Sequence, residues 1–371
     1  GGGFPVECYS IFKLMYLKKN DPMLFKKIYK VLGSKDYINF KLTGNIATDF
    51  SYASGIGIYN LKEKKLDNNL LKISGIKKDI FPEIFPSGKI IGEVKKDIAQ
   101  QLGLKEGTKV FCGGVDNACM ALGSVSDRKG GVYLSLGSSA WIALNTDKPI
   151  IDSSLKPYTF VHINDEIFTS AYSIFSAGSS IRWVKDNLFS EIANKKNAFE
   201  LIDEFAKKAE VGSGGMIFNP SLAGGTLQDK KKDIRGAFLG IRLKTNKNEI
   251  ARAALEGVTL NLKFVLNLLE KKADIGKELL ICGGGSKSPF WMQIFADIFN
   301  MTVYKTDIDQ GAASLGAALI VAKGLGLIKK YSYVEKVHTN KKIYRPNPKT
   351  VEEYKKIYKK FKKSLDLLAA F

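Results

Sequence analysis

Three stretches of the chain hold residue types whose spacing could handle a phosphorylated ligand. Asp116 follows a short apolar run, 110–112, and two glycines, Gly113 and Gly114, and it precedes small residues that read as a helix start. A carboxylate at such a strand end stands at the rim of an α/β sheet, where open sheets place their ligands. At 135–139 the chain reads SLGSS, between a strand GVYLSL and another, AWIAL. That turn offers backbone N–H groups and two hydroxyls to an anion, as phosphate-cradling nests do. At 278–288 an apolar strand ends in Gly283, Gly284, Gly285 and Ser286 ahead of a segment with helical spacing. Glycines there let a backbone approach an anion, and the helix dipole favours the negative charge. An acid to orient a nucleophile, with loops to hold a phosphate, describes phosphoryl transfer.

Each stretch has a purely structural reading as well. Asp116 suits an Asx turn or a helix N-cap, the commoner use of Asp after glycines. SLGSS suits an ordinary hairpin turn. Tight strand-to-helix turns need glycine whatever they bind.

The elements that must position these groups are written in the pattern. A helix is expected over 10–19. A second starts from Asp21 as N-cap with Pro22 at its first position, buries Leu24, Ile28 and Leu32, and stops at Gly33. The run KDYINFKLTGNIATDFSYASG, 35–55, reads as structural, with LTG as a turn and its Ser, Thr and Asp residues as caps and Asx turns. Further on, Asn246 and Glu249 form a capping pair ahead of a helix with Leu255, Val258, Leu262 and Leu266 as its buried stripe. The C-terminal segment VEEYKKIYKKFKKSLDLL is a basic amphipathic helix with Val351, Tyr354, Tyr358, Phe361, Leu365 and Leu368 on one face. Its aromatic stripe needs burial, so it is expected to dock on the protein rather than lie on an anionic membrane.

GGVDNACMALGS and SLGSSAW, taken together, resemble the FGGY family of carbohydrate kinases, and within it the xylulokinase-like members. Asp116 and Asn117 match the family's catalytic Asp and the Asn after it, although Val115 stands where glycine is usual. Gly137, Ser138 and Ser139 match its phosphate-contacting hairpin, with Ser in place of Thr. The run 35–55 resembles the corresponding family segment, and 236–256 satisfies the second family signature at every specified position. The loop 224–235, GTLQDKKKDI from Gly225 to Ile234 within it, departs from the acidic-basic-proline stretch usual in xylulokinases.

The resemblance implies an α/β, actin-like ATPase fold of two ribonuclease H-like domains with a catalytic cleft between them. Residues 1–127 would complete the first, sugar-binding domain, and 128–371 would form the second, nucleotide-binding one. It implies Asp116 as catalytic base, and Asp116 and Asn117 as sugar contacts. Gly137, Ser138 and Ser139 would contact the nucleotide phosphates, Gly284 and Gly285 the phosphates or ribose, and Ser288 would lie near adenine. ATP and magnesium are the implied cofactors; no metal ligand is identified. The implied reaction moves the γ-phosphoryl of ATP to a hydroxyl of a ketopentose such as xylulose, with glycerol, other pentuloses and hexuloses open. The rival reading is a non-catalytic nucleotide- or sugar-binding module. Kinases of this family open with a DxGT element, and no DxGT occurs in the sequence. The chain is therefore expected to lack the N-terminal part of its first domain, which leaves that domain incomplete and this chain weakly active or inactive by itself.

Composition narrows the classes. At 371 residues the chain exceeds what one core usually fills, so two domains are expected. A net charge of +20 suggests nucleic acid until its make-up is read: only six of the 57 basic side chains are arginine, and the lysines are scattered along the whole chain. Specific phosphate and base recognition favours clustered arginine, so no specific nucleic-acid partner is expected, and the excess reads as a solvated surface. Four cysteines without a CxxC pair and two histidines make a zinc site or a Cys/His machine unlike this sequence. No apolar run reaches the roughly 18 residues of a spanning helix, and no leader pattern opens the chain, so a cytoplasmic protein with small-molecule partners and no membrane is expected. A homodimer stays open.

Overall fold

The computed structural model describes residues 7–226, 229–339 and 341–370. They group into two compact units. The first takes the chain up to Lys129, then 145–170 and 311–337; the second takes 130–144, 171–310 and 338–371. A single division at 127/128 was expected, and the first crossing falls two residues later, but the chain then passes back and forth. No helix of the described residues is long and apolar enough to cross a membrane.

The first unit opens with α1 (Ser10–Asn20). Asp21 caps the next helix through the Leu24 N–H at 2.9 Å, with Pro22 at its first position. That helix, α2 (Pro22–Lys26), stops after five residues instead of reaching Gly33. The Val31 N–H is taken by the Ile80 carbonyl at 2.8 Å, and the β-branched Ile28 and Val31 favour extended chain. Leu24, expected in the core, is consequently half exposed. Gly33 precedes α3 (Ser34–Thr43), which ends in the left-handed Gly44 of the expected LTG turn. Strand β1 (Ala47–Asp49) pairs in parallel with β2 (Glu83–Phe85), and the Asp49 carboxylate caps α4 (Phe50–Ala53). Strands β3 (Ile90–Glu93) and β4 (Lys109–Phe111) make an antiparallel pair. From β4 the chain turns into α5 (Asp116–Val125).

The returning segment of the same unit supplies the helix Ala312–Gly324, which lies against α5. The two backbones come so close that a Cβ on Gly123 would sit 1.9 Å from the Ala312 carbonyl oxygen. One on Gly316 would sit 1.9 Å from that of Cys119. His162, also in this unit, is buried with its Nδ1 accepting the Asn164 N–H at 3.1 Å.

The second unit is built on a seven-stranded sheet, six of whose strands, β5 (Val132–Leu136), β6 (Ala140–Thr146), β7 (Phe168–Ile174), β8 (Glu278–Cys282), β9 (Thr302–Lys305) and β10 (Lys342–Tyr344), stand in the order β10-β9-β8-β5-β6-β7. β5 and β6 form the expected hairpin, and β8 is parallel to both of its neighbours, β5 and β9. Helices α6 (Gly178–Leu188), α7 (Ala198–Lys207), α8 (Lys247–Glu270) and α9 (Pro289–Phe299) belong to this unit, with α10 (Pro348–Ala370) at the end. Asn246 and Glu249 make the full capping box of α8, and its stripe Leu255, Val258, Leu262 and Leu266 is buried. α10 docks as expected: Val351, Tyr354, Phe361 and Leu365 are buried, and the Tyr354 hydroxyl donates to Glu256 at 2.8 Å while accepting from Arg252 at 3.1 Å.

Candidate active site

Because β5 and β8 are parallel neighbours with Cys282 opposite Ser135, the turn after Leu136 and the glycines after Cys282 leave the sheet at the same edge. That is the carboxyl edge, where open α/β sheets bind ligands. In the hairpin turn, the Gly137 N–H bonds the Ser139 carbonyl at 2.9 Å. The carbonyls of Gly137 and Ser138 accept from the N–H groups of Ala177, Gly178 and Ser179 at 2.9–3.0 Å, which ties the start of α6 to the turn. None of these bonds uses the N–H of Ser138 or Ser139. Gly178 permits the approach, since a Cβ there would lie 2.5 Å from the Gly137 oxygen.

On the β8 side the chain does not pass straight from glycine into helix. Gly283 takes a φ of 93° and gives its N–H to the Asp309 carboxylate at 2.6 Å. A 3-10 turn, Gly284–Lys287, comes next, and Ser288 is the N-cap of α9. The neighbouring glycines then differ in kind. A Cβ on Gly285 would lie 2.6 Å from the Leu136 side chain and 3.1 Å from Trp291, so packing alone accounts for that glycine. A Cβ on Gly284 would meet nothing within 4 Å, and its φ lies outside the left-handed region. Neither the fold nor the backbone requires glycine at 284.

Gly284 faces a cavity of about 500 Å³ that lies wholly within the second unit. Gly137, Ser138, Gly284 and Gly285 contribute backbone to its wall. Ile181, Phe199, Ile202, Leu255 and Trp291 contribute apolar surface, and Arg182, Glu200, Asp203, Lys287 and Ser288 contribute polar groups. The volume and the mixture suit a small ligand with an anionic part and a flat apolar part. The Ser288 hydroxyl accepts the Trp291 N–H at 2.9 Å. Burial pushes the Asp203 carboxyl above the usual range, with the Ser288 hydroxyl working against it.

Asp116 occupies the first position of α5 in the first unit. It is exposed and does not act as N-cap: Val115 holds that place without a side-chain bond. Its Oδ1 accepts the Asn117 N–H at 2.7 Å, and the free N–H groups of a helix start favour its negative charge. The helix start is pinned from behind by a buried polar cluster. The Val115 N–H donates to Ser51 Oγ at 2.9 Å, and the Ser51 hydroxyl in turn donates to Asp49. Asp49 also accepts from Ser87 Oγ at 2.8 Å. Lys35 Nζ stands 2.9 Å from Asp49 and 2.5 Å from Asp36, both fully buried, and Asp36 accepts from Thr48 at 2.8 Å. Burial alone would lower the Lys35 pKa, but Asp49 and Asp36 outweigh it and raise it, so the ammonium stays charged. Burial and the second carboxylate push Asp36 upward, as expected where two acids share one cation.

Of the residues expected at a site, Gly137, Ser138, Gly284, Gly285 and Ser288 line the one cavity. Ser139 is exposed in the turn and does not line it, and Asp116 and Asn117 lie in the other unit. In the loop 224–235, Asp229 accepts from the Thr226 N–H at 2.6 Å; Leu227 and Gln228 lie outside the described residues. Sequence reasoning missed Asp203 and Lys35. Asp203 sits in an ordinary amphipathic helix far along the chain, and Lys35 is one lysine among many; only its place before Asp36, in a run rich in Asp and Ser, marked it. Among the described residues no group of three or more His, Cys, Asp or Glu is arranged to hold a metal ion.

Comparison with known proteins bears on the same elements. Residues 3–123 match the N-terminal domain of the FGGY family of carbohydrate kinases, and 132–325 match the family's C-terminal domain. The chain is 33% identical over 362 residues to the xylulose kinase of Lactococcus lactis, covering 96% of this chain and 70% of that one. A ligand-bound xylulose kinase from Lactobacillus acidophilus superposes with a TM-score of 0.91 at 30% identity, over 98% of this chain and 73% of that one. A gluconate kinase from the same organism gives 0.92 at 30% identity over the same shares.

Proposed function

This chain belongs to the FGGY family of carbohydrate kinases and has their actin-like ATPase fold, and from that premise we propose that it moves the γ-phosphoryl group of ATP to a hydroxyl of a ketopentose such as xylulose. The observation that carries the nucleotide half of this reading is Gly284. Its missing side chain is explained neither by φ nor by packing, and it opens onto a cavity walled by the backbone of two glycine-bearing turns. A phosphate lying against that backbone is a sufficient reason for the glycine. Magnesium bound with the nucleotide would neutralise charge on the phosphates and would draw its ligands chiefly from phosphate and water.

The acceptor half rests on Asp116. An ionised carboxylate at an exposed helix start can align a sugar hydroxyl and accept its proton as the new bond to phosphorus forms, with Asn117 beside it as a further polar contact. Where the transition state is loose, alignment matters as much as proton removal. General-base help is worth roughly 10²- to 10⁴-fold. In the kinase, Asp116→Ala is expected to cut turnover at least about a hundredfold with ATP affinity nearly intact. Asp116→Asn keeps the shape but cannot take the proton, and is expected to fall almost as far. Turnover of Asp116→Asn within a few-fold of the parent would reduce Asp116 to a helix-start residue.

Xylulose is preferred on the xylulose kinase relative at 33% identity. Gluconate is the second reading, because the gluconate kinase structure superposes as closely as the xylulose kinase. Phosphorylation assays on xylulose, ribulose, gluconate and glycerol under one set of conditions separate the two by kcat/KM. We place the reaction in the cytoplasm, in keeping with four free cysteines, three of them buried.

A further inference from the structure

The geometry points to Asp203 as the residue that reads the exocyclic amino group of the adenine ring in the nucleotide cavity. The inference rests on the cavity being a nucleotide site and adds the group that selects the base. Ser288, the polar residue first expected beside adenine, is already committed. Its hydroxyl oxygen accepts the Trp291 N–H at 2.9 Å as the N-cap of α9, so it serves the helix start.

Asp203 itself has capacity to spare. An ionised carboxylate offers about four acceptor positions. The residue is 8% exposed and lines the cavity from α7. Ile202, its neighbour on that helix, and Phe199, one turn back, line the same wall, and Trp291 and Leu255 face the cavity from α9 and α8. Apolar and aromatic side chains of this kind hold a flat ring, whereas the bare backbone of Gly137, Ser138 and Gly284 suits phosphate. Two carboxylates line this wall, Glu200 and Asp203; Glu200 is exposed, and Asp203 is the acceptor buried among the ring-holding residues. The part of adenine that carries only donor hydrogens is its 6-amino group, and a carboxylate accepts from it without competing for protons. The consequence is selectivity: a purine with no amino group leaves the carboxylate unpaired inside the cavity, which costs affinity.

The test is a binding cycle on the full chain by calorimetry, with ADP, the diphosphate of unsubstituted purine riboside, and 2′- and 3′-deoxy-ADP as probes. The parent is expected to prefer ADP over the amino-free purine by roughly ten- to a hundredfold, the range for a hydrogen bond to a charged acceptor. In Asp203→Leu that preference should vanish, while the relative affinities of the deoxy analogues stay as in the parent. If Asp203→Leu does not fold, Asp203→Asn takes its place and is expected to reduce the preference. Equal affinity of the parent for the two purines, or a preference that survives in the variants, would overturn the assignment. So would a variant that instead erases the discrimination against a deoxy analogue, which would make Asp203 a ribose residue. A parent that binds none of the four probes would remove the nucleotide site along with the inference, a result distinct from binding without amino-group selectivity.

Discussion

Around Asp116 the first unit buries charge, whereas around Gly284 the second unit removes side chains. Lys35, Asp36 and Asp49 are drawn together behind α5 and pass their order through Ser51 to the Val115 N–H. At the cavity, the working surface is backbone, exposed because Gly137 and Gly284 carry no Cβ and because Gly178 lets α6 close on the turn. The two designs suit the tasks proposed for them. An acid must point one way, and a network of short bonds supplies direction. A polyphosphate is bulky and charged all round, and it needs room and N–H groups more than it needs any one side chain.

The comparison breaks most readily at Lys35. Lys35→Met leaves two buried carboxylates without their cation, and a loss of about 3 kcal/mol in stability is expected, the lower end for one partner of a buried pair because the lysine side chain keeps 21% of its surface exposed. Denaturant unfolding checks this, and a loss under about 1 kcal/mol would mean that the charge cluster does not hold the first unit together. Next in size, Gly284→Val is expected to weaken ADP binding ten- to a hundredfold, the order of 1–3 kcal/mol for an overfilled site, with an unchanged melting temperature. Gly285→Val should do the reverse in kind and lower the melting temperature, because it meets Leu136. If both glycines behaved alike, the distinction between room for ligand and room for packing would be lost. Ser51→Ala removes one link between the cluster and the acid, and a several-fold fall in turnover is expected, about 1 kcal/mol for one hydrogen bond, with ATP affinity unmoved. Ser51→Thr keeps the hydroxyl and should restore most of the rate; failure to do so would take Ser51 out of the chain of support.

The smallest effect sharpens the contrast through pH. Burial pushes the His162 imidazole of the first unit down to about 4, against an ordinary value of 6.5. Below pH 6.5 the unfolded chain binds a proton that the folded chain refuses until about pH 4. Stability present above 6.5 is therefore lost as the pH falls through that window, by about 1 kcal/mol at pH 5.5. Melting curves at pH 7.5 and 5.5 should differ less for His162→Gln than for the parent. An equal pH dependence in both would show that the histidine is not the group responsible.

Features set by residues close together in the chain are legible from the sequence alone. The β5–β6 hairpin, the start of α5 at Asp116, the Asn246–Glu249 box and the docking face of α10 each depend on residues a few positions apart. What cannot be read that way depends on distant partners. α2 ends early because residue 31 pairs with residue 80, not because its own pattern fails. The extra turn after Gly283 depends on the Asp309 carboxylate 26 residues on. Asp203 and Trp291 line one cavity across nearly ninety residues of chain, and nothing local marks Asp203 as different from any other acid on a helix. Gly284 and Gly285 look identical in sequence, and only the position of Leu136 separates them.

The reciprocal glycine contact between α5 and the helix Ala312–Gly324 bears on how the gene could be cut. By sequence, the second helix falls within the stretch matched to the family's C-terminal domain, 132–325. By contact, it seals the back of the helix that carries Asp116, at two points where not even a methyl group fits. A piece ending near residue 129 would keep the acid and lose its brace, leaving the face of α5 around Gly123 uncovered. Split or swapped versions are therefore expected to need 311–337, together with 145–170, to travel with the first half.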